Sequence, residues 1–207
     1  MIIKRIGVFV GLCAWLALTG PVTAASTDPD MLVKETTDKV LTELSTNRDS
    51  FKKDNGKLYN MVDSVVLPHF DFERMSKLVL GKHWRDANDA QRQKFIMEFK
   101  TLLVRTYATA LFQYNGQKIV YKPFRHAGGD EDAVVKTEIV PDDGPPIPMN
   151  YALSKSSDGN WRVFDIRIDG ISLVTNYRTS YSSTIQNQGL DTLISMLAEK
   201  NKVIVQQ

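Results

Sequence analysis

The stretch DIRIDGISLVTNYRTSY, Asp165–Tyr181, changes period in its middle. Ile166 and Ile168 alternate with Asp165, Arg167 and Asp169, so apolar and charged side chains point to opposite faces, as in a half-buried strand. Gly170 breaks the alternation. ISLV then runs into the polar, aromatic TNYR, which reads as the start of a helix. Acids, an arginine, a serine and a tyrosine therefore surround one chain reversal. They form either the rim of an active site or a structural corner.

Working outward, the strand half is the last of four. QKIVYKPF (117–124), DAVVKTEIV (132–140), IPMNYALSK (147–155) and NWRVFDIRID (160–169) are separated by Gly128-Gly129-Asp130, PDDGPP and Ser157-Asp158-Gly159. Short connections rich in turn residues predict an antiparallel meander. The helix half begins a pair, from about Ser172 to Asn187 and from Leu190 to Lys200, parted by Gly189.

Upstream of the strands the period is helical. Asp28-Pro29 opens a helix with the narrow stripe Val33, Val40, Leu41 and Leu44, ended by STNRD. Asn55-Gly56 breaks the chain before Leu58, Met61, Val62, Val65 and Val66, and Leu67-Pro68 stops that segment. Asp71 caps FERMSKLVLG, with Gly81 closing it. Asn88 and Gln91 form a capping-box variant ahead of a broad face holding Phe95, Phe99, Leu102, Leu103, Tyr107, Ala110, Leu111 and Tyr114. That helix spans about 26 residues, or roughly 40 Å, long enough to bend or to form a wall. The fold class is α+β: several helices packed on a curved four-stranded antiparallel sheet.

The N-terminus addresses the chain outward. Lys4 and Arg5 precede the apolar run Ile6–Leu18, and Val22-Thr23-Ala24 supplies small residues for cleavage after Ala24. Residues 1–24 thus read as a signal peptide and 25–207 as a single domain, with the periplasm as the expected compartment. The run is shorter than the roughly 20 residues of a membrane span. Cys13, the sole cysteine, lies within this leader, so the mature chain has no disulfide and no thiolate ligand. Of 26 basic and 24 acidic residues, the leader takes Lys4 and Arg5 and no acid. The mature chain is formally neutral, which argues against a nucleic-acid partner.

Catalytic patterns are thin. His69, His83 and His126 are isolated, and there is no HExxH. GISLV carries Val174 where a nucleophile elbow needs glycine. Ser50-Phe51-Lys52-Lys53 matches SxxK without its companion motifs, and neither a P-loop nor GxGxxG is present. Asp165 and Asp169 share a strand face with Arg167. They read either as a solvent-facing charged ladder or as a general acid/base pair.

The segments FDFERMSKLVLGKHWRDANDAQRQKF (Phe70–Phe95), FKTLLVRTYATAL (Phe99–Leu111), NWRVFDIRIDGISLVTNYR (Asn160–Arg178) and GLDTLISMLAEKN (Gly189–Asn201), in this order behind a signal peptide, resemble the MlaC family of periplasmic phospholipid shuttles, also called the toluene-tolerance family. Lys122–Pro148 carries little of the resemblance. The resemblance implies a lipid cavity between sheet and helices, phospholipid as cargo with no cofactor, and no catalysis. Implied partners are an outer-membrane lipoprotein complex and an inner-membrane ABC transporter with an MCE-domain subunit. Glycerophospholipid would pass between them to maintain outer-membrane lipid asymmetry. On this reading Met149, Tyr151, Leu153, Phe164, Ile166 and Ile168 give the sheet wall of the cavity. Phe99, Leu103, Tyr107, Leu111, Val174 and Tyr177 give the helical wall, and Arg178 meets the head group. The same side chains would equally pack a dry core. Two rival readings remain: an isomerase or dehydratase using Asp165 or Asp169, and an adaptor subunit of a secretion complex.

Overall fold

The computed structural model describes residues 28–125 and 130–205; the leader, His126 and Gly128-Gly129 of the expected first turn lie outside them. Helix α1 (Pro29–Lys53) runs past the expected stop at STNRD, because Phe51 continues the buried stripe of Val33, Val40 and Leu44 two turns on. The break falls at Asp54, whose carboxylate accepts from Gly56 N at 2.9 Å and starts α2 (Asn55–Val65). A 3₁₀ turn, Leu67–His69, leads into α3 (Phe72–Leu80). Asp71 caps α3 by accepting from Arg74 N at 2.8 Å. Its own N–H donates to Val163 O at 2.9 Å, which ties the start of α3 to the sheet.

After the short α4 (His83–Asp86), α5 (Asp89–Ala108) opens with the expected reciprocal box. Gln91 N donates to Asn88 Oδ1 at 2.9 Å and Asn88 N to Gln91 Oε1 at 3.1 Å. The α-helix is shorter than its apolar face suggests, since Thr109–Gln113 tighten into a 3₁₀ turn. Arg48 of α1 meets the freed carbonyls there, donating to Phe112 O at 2.9 Å and Tyr114 O at 2.8 Å.

The sheet is an open antiparallel meander in sequence order: β1 (Lys118–Tyr121), β2 (Asp132–Val140), β3 (Ile147–Lys155), β4 (Trp161–Ile168) and β5 (Ile171–Ser172). The two-residue β5 was not expected. Asp169 (φ 49°) and Gly170 (φ 80°) make a two-residue hairpin, for which positive φ at both central positions matches the twist of the strands. From β5 the chain enters α6 (Leu173–Gln188), and then α7 (Leu190–Val205) after Gly189.

Three buried clusters result. The helical core joins α3, α5, α6 and α7 through Met75, Val79, Phe95, Phe99, Leu102, Val174, Ile185 and Leu193. A second joins α1, α2 and the end of α5 through Val40, Leu44, Leu58 and Ala108. The third is one face of the sheet, Ala133, Val135, Leu153, Trp161 and Val163, with Val33 of α1 laid on it.

Candidate functional site

The strand register fixes which side chains share the inner sheet face, because partners across an antiparallel pair lie on the same side. Leu153 pairs with Ala133 and Val163, Tyr151 with Val135 and Ile166, and Met149 with Thr137 and Ile168. Of the sheet residues singled out from sequence, Met149, Tyr151, Leu153, Ile166 and Ile168 therefore share one floor. Phe164 does not join that floor. Leu153 pairs with Val163 but Ala152 with Asp165, so Phe164 is the unpaired residue of a bulge. It packs instead against the helical core, with the Arg74 guanidinium 3.7 Å above its ring. Simple alternation fails at this residue because the bulge resets the period.

The floor is buried at one end and open at the other. Leu153 is fully enclosed and Val163 nearly so. Met149, Tyr151, Ile166 and Ile168 stay half-buried, and Ile147 is 40% exposed. Tyr151 donates to Met149 Sδ at 2.9 Å, and desolvation pushes its phenol up to about 12. Ile119, Tyr121, Thr137 and Ile139 extend the floor, since Ile119 pairs with Ile139 and Tyr121 with Thr137. The sequence reading missed these; the period-two alternation of DAVVKTEIV was the available signal for Thr137 and Ile139, and the spacing of Ile119 and Tyr121 in QKIVYKPF for the other two.

The helical candidates divide. Phe99, Leu103 and Val174 are buried in the helical core, and Tyr107 and Tyr177 pack against it. Tyr177 stands edge-on to Phe99 with ring centroids 5.2 Å apart and lies 5.4 Å from Tyr181. Burial raises the phenols of both tyrosines. Leu111 belongs to the α1–α2 cluster. α1 bridges that cluster and the sheet, with Leu32 and Val33 on the floor and Val40 and Leu44 among the helices. Among the described residues no side chain is shared by these two clusters, so they meet along α1 without a common core. Partly buried apolar groups lie on both, Tyr151 and Ile166 on the sheet and Leu41, Leu67 and Leu111 on the helices.

The charged corner of Asp165–Tyr181 is a piece of helix capping. Asp165 is 7% exposed, which corrects the solvent-facing ladder. Its carboxylate accepts from Val174 N at 3.1 Å, while Ser172 Oγ accepts from Thr175 N at 3.0 Å. Two of the free N–H groups that open α6 are thereby satisfied, and the acid sits at the positive end of the helix dipole. Arg167 lies 3.8 Å from the other oxygen of Asp165. Asp169 serves the hairpin. Arg178 is exposed and its Nε donates to Leu78 O at 2.5 Å, at the end of α3.

This geometry, an open sheet with one apolar face backed by helices, is matched by known proteins. The family model described as MlaC protein matches residues 34–199. The chain belongs to the MlaC family. It is 28% identical to the intermembrane phospholipid transport system binding protein MlaC of Haemophilus influenzae, over 84% of this chain and 83% of that protein. It is 29% identical to the toluene tolerance protein ttg2D of Pseudomonas putida, over 87% of this chain and 84% of that one. A solved structure of the phospholipid-binding protein from Ralstonia solanacearum, in complex with a phospholipid, is 34% identical with a TM-score of 0.78, covering 86% of this chain and 99% of that chain. For this member of the MlaC family, no helix among the described residues is long and apolar enough to cross a membrane.

Proposed function

We propose that this chain is a phospholipid carrier that takes acyl chains against the floor of β1–β4, in the seam where the sheet and the α1–α2–α5 cluster meet. The observation that carries this reading is the incompletely buried apolar end of the floor at Met149, Tyr151, Ile166 and Ile168. A pocket for acyl chains needs apolar walls and no unpaired charge, and these side chains satisfy that demand.

The energetics require transfer by docking. Two sixteen-carbon chains bury about 30 methylenes, a gross term near 25 kcal/mol at roughly 0.8 kcal/mol each. Spontaneous release into water is then far too slow for transport, so the lipid passes while the carrier touches a partner. We place the carrier in the periplasm after cleavage behind Ala24, as a single domain. Its partners on this reading are an outer-membrane lipoprotein complex and an inner-membrane ABC transporter with an MCE-domain subunit.

Asp165 and Asp169 are engaged in backbone structure, which supports a carrier over an enzyme. The test is mass spectrometry of a gentle organic extract of the purified protein. Stoichiometric glycerophospholipid is expected; a protein that purifies empty and takes up none from vesicles would overturn the reading.

A further inference from the structure

Between α3 and α6 lies a groove of about 290 Å³ that the acyl site does not use. Its floor, Val79, Leu80 and Ile185, belongs to the helical core, not to the sheet face. Its rim carries Lys82 and Arg178, both exposed, and His83. No aspartate or glutamate lines it, and neither Lys82 nor Arg178 has an ion-pair partner among the described residues. In a chain with nearly balanced charge, this local imbalance is unspent.

Arg178 is also held in place. Its Nε bond to Leu78 O fixes the guanidinium at the carbonyl end of α3. That end would otherwise repel an anion, and the bond offsets one of its free carbonyls. Gly81 turns there at φ 55°, and a Cβ added to it would stand 3.8 Å from Cδ and Nε of Arg178, so the stem lies directly over the turn. The terminal N–H groups of the guanidinium stay available as donors. His83 Nε2, in the same groove, is buried without a partner among the described residues.

We infer that this groove binds a phosphate-class oxyanion, with Arg178 as the oriented donor and Lys82 as a second charge. A planar guanidinium beside an ammonium matches the acceptors of a phosphate. Two cations are too few to hold a bilayer by charge alone, for which clusters of about 4–8 are typical. They suit a single phosphate, either free or on one lipid head group. The head-group source deepens the expectation that Arg178 meets a lipid head, whereas the free-phosphate source does not rest on the carrier reading; the floor of the groove is separate from the acyl floor, so the two readings can fail separately.

The test is an NMR titration of the delipidated protein, following the Arg178 Nε and His83 ring signals. One arm adds inorganic phosphate. The other adds glycerophosphoglycerol, a lipid head group without acyl chains that cannot occupy the sheet face. Sodium chloride at matched ionic strength is the control. Saturable shifts are expected, weakened at least about tenfold, or 1.4 kcal/mol, by Arg178→Gln. Lys82→Gln should weaken binding as well; its side chain is exposed, so its fold is safe if Arg178→Gln proves unstable. Tighter binding of the diester identifies a head group as the source, and tighter binding of the inorganic ion identifies free phosphate. Shifts that do not saturate, that equal those in chloride, or that survive Lys82→Gln unchanged would overturn the inference. A protein that carries no phospholipid but titrates normally would count against the carrier reading alone.

Discussion

Placing a carboxylate at the open end of the floor separates lipid binding from folding. Ile168 is half-buried, pairs with Met149 and precedes the Asp169–Gly170 turn. In the lipid-free protein, Ile168→Asp loses part of one apolar side chain, about 1 kcal/mol, and a similar amount of strand preference. Unfolding free energy should fall by about 1–2 kcal/mol and the melting temperature by roughly 2–8 °C. With lipid in the seam, the same carboxylate faces hydrocarbon without a partner, which costs several kcal/mol. Even about 3 kcal/mol lowers lipid affinity more than about 100-fold. Leu103→Trp is the converse. Leu103 is buried in the helical core beside Phe99 and Leu102, so overpacking should cost roughly 1–3 kcal/mol while bound lipid is retained. The assay measures phospholipid per protein after purification beside melting of the delipidated proteins. Ile168→Asp protein that still carries stoichiometric phospholipid, or Leu103→Trp protein that melts normally and is empty, would refute the assignment of the floor.

At the corner, Asp165→Ala leaves Val174 N buried without an acceptor and should cost about 1–3 kcal/mol. Asp165→Asn keeps an acceptor and should cost about 1 kcal/mol through the lost dipole interaction. Urea unfolding reads both, and full loss of function by Asp165→Asn at wild-type stability and lipid content would restore the acid/base reading. Arg48→Ala frees the carbonyls of Phe112 and Tyr114 and should cost about 1.5–3 kcal/mol; an unchanged urea midpoint would show that the turn after α5 does not need α1. Desolvation, with the Lys39 charge adding to it, holds the imidazole of His69 below the ordinary histidine pKa. A depressed folded pKa gives stability that is complete above the unfolded value and is lost as pH falls through the folded one. Melting of the wild type should therefore drop more steeply than that of His69→Gln from about pH 6.5 downward, and parallel curves would contradict it.

The sequence by itself determined the longer helices, the four long strands and their order, because periods and caps are local, but not β5, α4 or the 3₁₀ turns. The Asn88–Gln91 box, the Asp71 cap and the meander strands each depend on neighbours a few residues apart, and the switch from period 3.6 to 2 places the sheet without tertiary information. The family was legible for the same reason, in runs such as NWRVFDIRIDGISLVTNYR. What only the tertiary structure decided were facts about distant partners. Phe164 leaves the floor because its bulge is defined against Ala152 and Leu153 on the neighbouring strand. Asp165 is a helix cap because a two-residue hairpin returns the chain so that Val174 N meets its carboxylate. Leu103 and Leu111 share a helical stripe yet enter different clusters, since the helix tightens after Ala108 and different neighbours cover its two ends. Periodicity reports that a side chain is covered; packing between elements far apart in sequence decides what covers it.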